Sequence, residues 1–233
     1  MFRPGCGRRR TRERGVGPAG SGAPGGKSRL AVTKVGNVRG MQGETMVGFG
    51  HKQSWLAVRD ADAEALTEAL ALRDLGTVSW RDGIDLAYLT DDRLVLTPPL
   101  PGARDAHWLL ATGRWLLRPN TVVDVVELSA TLGTEVQLFA TYRVSELHRW
   151  ARAVDGVAVR AFGFLGEIGE VTEWRGDPDD VEQAIGLPPG LAGDPDILVS
   201  EHDVMRLAGA WSVDPSTLES RPAPGPLHAY ATP

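Results

Sequence analysis

Cysteine is almost missing from this 233-residue chain: Cys6 is the only one. No internal disulfide can form, and a cysteine-based zinc site is excluded with it. That usage suits a reducing compartment, so a cytoplasmic location is expected. Long apolar runs are missing too. A membrane-spanning helix needs roughly 20 apolar residues, and the longest apolar stretches here, such as "HWLLATGRWLL" (107–117), are shorter and interrupted. No membrane partner is expected. Nucleophile motifs are also lacking. No G-x-S-x-G occurs, and Ser129, Ser145 and Ser200 have no flanking glycines of a nucleophile elbow. Covalent catalysis is therefore not anticipated. The histidines, His51, His107, His148, His202 and His228, never fall at H-x-x-x-H or H-E-x-x-H spacing. Neither a metal nor a cofactor is predicted.

Charge is present but unevenly placed. The formal net charge is −5. Residues 1–40 hold ten Lys/Arg and one acid, Glu13, which makes that segment +9. Residues 41–233 hold 15 bases and 29 acids, or −14. An acidic body repels phosphate backbones, so nucleic acid is expected only as a partner of the basic segment. A basic protein partner is favoured for the body.

Residues 1–50 contain 13 of the 28 glycines and no tryptophan. Without apolar periodicity this stretch cannot form a core, and it reads as a disordered basic tail or as an over-long start preceding Met41 or Met46. "GSGAPGGKS" (20–28) resembles a phosphate-binding loop, but Ser21 stands where the first glycine is required. Such a loop must also follow a buried strand and open a helix, and neither flank reads that way.

The body reads as 54–219, a single α+β domain with mostly antiparallel sheet and about four helices. Strands are expected at 54–58, 77–80, 84–89, 93–97, 107–112, 114–118, 134–144 and 170–174. Helices are expected at 61–75 (capped by Asp60 and closed by Gly76), 122–132, 177–187 and 200–211. "LHRWARAVDGVAVRAFGFL" (147–165) reads as a hairpin turning on Asp155–Gly156. Regular pairing would set Arg152 opposite Val159, Trp150 opposite Ala161 and His148 opposite Gly163, with Arg152 and Arg160 on opposite faces. Leu-Gly-Thr recurs at 75–77 and 132–134, which hints at two similar halves, each a helix followed by a β-meander. Residues 220–233 read as a loose tail.

Two strings, "HRWARAVDGVAVRAFGFLGEIGEV" (148–171) and "DVMRLAGAWSVDP" (203–215), resemble uncharacterised bacterial hypothetical proteins. The resemblance spans 54–219 and implies one structural unit. It carries no activity and names no site.

Candidate functional residues centre on the hairpin. His148 is the histidine best placed for acid–base work, with Glu146, Glu167 and Glu170 as carboxylates near that end. Trp150 and Arg152 share its face and are candidate binding residues. The acidic clusters "DPDDVE" (177–182) and "EHD" (201–203) sit where helix N-termini favour negative charge, which accounts for them without chemistry. Trp80, Trp108, Trp115, Trp150 and Trp174 fall in or beside expected strands, as core anchors or, if several share a surface, as a binding patch. The leading expectation is a non-enzymatic interaction domain with an inhibitor, immunity-type or adaptor role. The alternative is a small-molecule-binding or hydrolytic domain built on His148 and a nearby glutamate.

Overall fold

A computed structural model describes residues 43–117, 123–193 and 196–233. The segment with Cys6 and "GSGAPGGKS" lies outside the described residues. The architecture is α+β. Ten strands form one sheet, β1 (Ser54–Arg59), β2 (Arg73–Val78), β3 (Arg93–Leu96), β4 (Leu100–Pro101), β5 (His107–Thr112), β6 (Glu135–Tyr142), β7 (Leu147–Val154), β8 (Val157–Leu165), β9 (Glu170–Arg175) and β10 (Leu227–Ala231). Their order is β2-β10-β3-β5-β1-β6-β7-β8-β9, with β4 beside β5, and every pairing is antiparallel.

Both faces of the sheet are covered. Helices α1 (Ala63–Ala69) and α3 (Val125–Leu132) pack on one face; α2 (Trp80–Leu89), α4 (Asp180–Ala184) and α5 (Glu201–Trp211) pack on the other. Strand alternation sorts the core accordingly. In β1, Trp55 and Ala57 face α5, while Leu56 and Val58 face α3. This two-sided burial is why "SWLAV" reads as an uninterrupted apolar run. Trp55, Trp80, Trp108 and Trp150 are 0% exposed. Trp80, Trp108 and Trp150 are thus core anchors, each worth roughly 3 kcal/mol or less by burial alone, while Trp115 and Trp174 are half-buried at the edges of the two core clusters.

Several elements differ from the sequence expectation, each for a local reason. The first helix is short: Asp62, not Asp60, caps it, and "RDLGTV" continues as β2. Gly76 lies inside β2 with φ +95, at the irregular pairing with β10, rather than closing a helix. Residues 84–89 belong to α2. Ser79 caps that helix, and Trp80, Gly83, Ile84 and Ala87 form its buried stripe at helical spacing. Residues 114–117 make a 3₁₀ turn, not a strand. The fourth helix is capped by Asp179 in a capping box with Glu182, two residues after the expected start.

The hairpin turns at Asp155 (φ 48) and Gly156 (φ +77), as its sequence demands. Its register changes beyond the turn. Ala153 faces Ala158, yet Arg152 faces Arg160, so Val159 is an extra residue in β8. The bulge inverts the parity of the strand. Trp150 then pairs with Phe162 instead of Ala161, and His148 with Phe164 instead of Gly163. Arg152 and Arg160 share a face, contrary to expectation. Arg160 is carried into the core, where its Nε donates to Glu182 Oε1 at 2.8 Å and its guanidinium lies 4.4 Å from the Trp174 ring centre. The bulged backbone crowds Gly176: a Cβ there would stand 2.4 Å from the Val159 carbonyl oxygen.

The C-terminal segment is no loose tail. β10 sits between β2 and β3, and without it the sheet would have a gap. Residues 44–46 also belong to the body, outside the expected boundary at 54. Thr45 bridges Pro222, the Met46 amide donates to the Arg221 carbonyl at 2.7 Å, and Glu44 Oε1 accepts the Trp80 amide. Because of this insertion the two halves pair differently. β6 to β9 form a meander in chain order, while β10 and β1 are interleaved among the earlier strands.

Glu182 is 1% exposed and accepts from Trp150 Nε1 at 2.7 Å as well as from Arg160. Removing it leaves a buried guanidinium unpaired. Glu182→Ala is expected to lower the unfolding free energy by about 3–5 kcal/mol, measured by urea denaturation, whereas the exposed control Glu167→Ala should leave it within about 0.5 kcal/mol.

Candidate functional site

Strand β6 carries its polar residues on the face that meets α5. Glu135, Gln137, Phe139 and Thr141 alternate on that side, opposite Val154, Arg152, Trp150 and His148 of β7. Helix α5 lies over this row. Its N-terminus meets Thr141 and His148, and its C-terminus meets Glu135 and Gln137.

At the N-terminal end Glu201 is the organising group. Its Oε1 accepts the Lys52 amide and the Thr141 hydroxyl, both at 2.9 Å, and its Oε2 accepts Arg143 Nε at 2.9 Å. Burial alone would raise its pKa, but the Arg143 guanidinium, the Lys52 amide and the Thr141 hydroxyl outweigh burial and hold the carboxyl below its ordinary range. The His51 ring Nδ1 stands 3.8 Å from Oε2. Ser200 caps the helix, its hydroxyl donating to Asp203 Oδ2 at 2.6 Å.

These groups surround an open pocket of about 440 Å³, lined by His51, Arg143, Glu146, His148, Ser200 and Glu201, with His202 and Val199 at its side. His148 is 4% exposed, and its Nδ1 is buried with no hydrogen-bond partner. Burial lowers its pKa most; Glu201, Glu146 and Asp203 pull it back up, and the net result stays below the ordinary 6.5. The imidazole is therefore neutral at neutral pH, able to accept or donate a hydrogen bond. Glu146 reaches the pocket from a left-handed turn position (φ 49), and its side chain lies over Gly166: a Cβ there would stand 2.6 Å from Glu146 Oε2.

The structure thus brings His148 and Glu146 into one concavity, as the sequence suggested. It leaves Glu167 and Glu170 outside it. Glu167 is exposed on the next turn, and Glu170 lines a separate hollow with Phe164 and Leu191. Trp150 is sealed in the core with its indole N–H bound to Glu182, so it contacts no surface. Arg152 lies at the far end of the row, its Nε donating to Glu135 Oε1 at 2.7 Å. Glu135 also receives Arg104 and Gln137. Burial would raise its pKa, but these donors outweigh burial and depress it. Sequence reasoning missed His51, Arg143, Glu201 and His202 as site members. "EHD" was legible as a helix start, but nothing local signals that Glu201 also reaches across to residues 52, 141 and 143.

Chemically, the pocket offers a neutral imidazole, a free carboxylate and a carboxylate–guanidinium pair. The Ser200 hydroxyl at its edge serves the helix cap, donating to Asp203 Oδ2 and accepting the Asp203 amide. Among the described residues, no three His, Cys, Asp or Glu side chains converge as metal ligands, and no helix is long and apolar enough to cross a membrane.

The depressed His148 pKa has a consequence for stability. Between its folded and unfolded pKa values the unfolded chain binds the extra proton, so stability rises with pH through that window. The full contribution is present above 6.5 and is lost as pH falls through the lower folded value. Unfolding midpoints are expected to drop as pH falls below 6.5, before the carboxylates titrate. His148→Gln should remove that upper limb while leaving the carboxylate-dependent acid limb; an unchanged profile would count against it. No protein-family model, no curated protein and no solved structure matches this chain.

Proposed function

We propose that this protein binds a small polar molecule in the His148 pocket and can move a proton there. The observation that carries this reading is a nearly buried, neutral imidazole on the wall of a concavity that also holds Glu146 and Glu201. The charge balance favours a ligand that is cationic or rich in N–H and O–H donors. Arg143 is committed to Glu201, and Glu146 has no ion-pair partner among the described residues. A neutral His148 would accept a hydrogen bond from such a ligand, the geometry from which a proton transfer starts, with Glu146 holding the ammonium or hydroxyl group beside it. The interaction-domain reading ranks second, because Trp80, Trp108 and Trp150 are core anchors and the acidic charge of the body is its main support.

The reading is tested by thermal-shift titration with ethanolamine, 1,4-diaminobutane and histamine at neutral pH. At least one should raise the melting temperature saturably. Glu146→Gln and His148→Gln should each weaken binding by about tenfold or more, the equivalent of ~1.4 kcal/mol. No saturable shift, or a shift indifferent to both substitutions, would refute it.

A further inference from the structure

The hairpin turn that supplies Arg143, Glu146 and His148 to one pocket sends its alternate side chains to another. Tyr142 and Leu147 pair across the β6–β7 hairpin one residue along from Thr141 and His148, so they face the other way. With Val144 they meet Tyr88 and Leu89 at the end of α2 and Leu117 of the 3₁₀ turn. Together these enclose a groove of about 460 Å³, within the ~300–1,000 Å³ range of small-molecule sites. Val144 is 76% exposed and Leu89 69%, and Tyr88 and Tyr142 are also among the exposed large apolar residues. A cluster of this kind at one rim, rather than scattered, marks a contact surface.

The charged members of the lining indicate what fits. Asp91 and Arg114 neutralise each other at 3.2 Å. Lys52 forms no ion pair among the described residues, which leaves one ammonium beside an apolar wall. Its backbone is fixed. Lys52 has φ 55, and its amide is bound by Thr141 Oγ1 at 3.0 Å and Glu201 Oε1 at 2.9 Å. The ammonium is therefore carried by a pre-set loop and not by a free segment.

We infer that this groove is a second site, which binds a small monocarboxylate with an aromatic or branched aliphatic body. The body packs on Tyr88, Leu89, Tyr142 and Val144, and the carboxylate pairs with Lys52. Among the described residues a single unpaired cation lines the groove, which suits one carboxylate and not a polyphosphate. This inference is independent of the His148 reading, since none of its residues lines that pocket.

Titration of the full chain with 4-phenylbutanoate, 4-methylpentanoate and indole-3-acetate, followed by calorimetry and amide NMR shifts, tests it. At least one acid should bind saturably and move the amide signals of Tyr88 and Val144. The matching neutral amide should bind about tenfold more weakly. Lys52→Met should abolish that preference for acid over amide, and Val144→Glu should abolish binding. His148→Gln should leave both unchanged. Far-UV circular dichroism confirms that each variant is folded. Failure of all three acids to bind at about 10 mM, equal binding of acid and amide, or an unchanged preference in Lys52→Met would overturn the proposal.

Discussion

The seating of α5 across β6 and β7 is the constraint on which both the core and the candidate site depend. Eleven residues span about 16 Å, close to the reach of the β6 row from Thr141 to Glu135. Each end is tied by an ionised carboxylate. At the N-terminus Glu201 gathers Thr141, Arg143 and the Lys52 amide. At the C-terminus the Trp211 carbonyl accepts Arg104 and Gln137, both of which also bind Glu135. Donors at a helix C-terminus and a carboxylate at its N-terminus both complement the helix dipole. Between the two ties, Phe139 and Trp211 meet at a ring-centre distance of 6.0 Å, and Phe139 stacks on Trp55 at 5.3 Å.

The placement of α4 follows from a second buried carboxylate. Glu182 closes the capping box that starts the helix and turns its other oxygen to Arg160 and Trp150. A buried ion pair is weak evidence of net stabilisation, since desolvation offsets much of its attraction. Its effect here is geometric. Arg160 points inward only because of the Val159 bulge, and Glu182 holds it there. The bulge also sets Trp150 over Phe162 at 4.3 Å, which continues the aromatic row along the sheet. Bulge, ion pair and helix position thus specify one another.

The turn between β6 and β7 builds the surface. Strand alternation sends Thr141 and His148 beneath α5 and Tyr142 and Leu147 to the opposite face, where they line the groove with Tyr88, Leu89 and Leu117. One turn therefore divides a polar concavity from an apolar one. Gly166 and the left-handed Glu146 make the close approach possible on the polar side. Nothing comparable occurs at the Glu135 end, where the arginines are spent on the buried carboxylate and the α5 carbonyl.

Much of this was legible locally. Apolar runs marked β1, β3 and β5; Asp155–Gly156 marked the hairpin; Ser200 with Asp203 marked the start of α5; Gly133 marked the end of α3. These signals rest on short-range sterics and capping, which neighbouring residues settle by themselves. Glu146 and His148 line one pocket because both flank the turn between β6 and β7, although Glu146 is a turn residue and not an extension of β7. What tertiary structure alone decided is of another kind. The "RDLGTV" and "IDLAYL" stretches have no strong intrinsic preference, and they became strand and helix according to whether β10 or the apolar core lay beside them. β10 itself hid behind "SRPAPGP", because a five-residue strand gains its stability from two partners distant in the chain. The parity of β8 turned on a single bulge, which local patterning cannot foresee, since the extra valine is equally at home in a regular strand. Glu201 joined the site because packing carried the start of α5 to residues 52, 141 and 143. The sequence alone determined which elements could form and where turns had to fall; long-range packing decided which of their side chains would share a pocket.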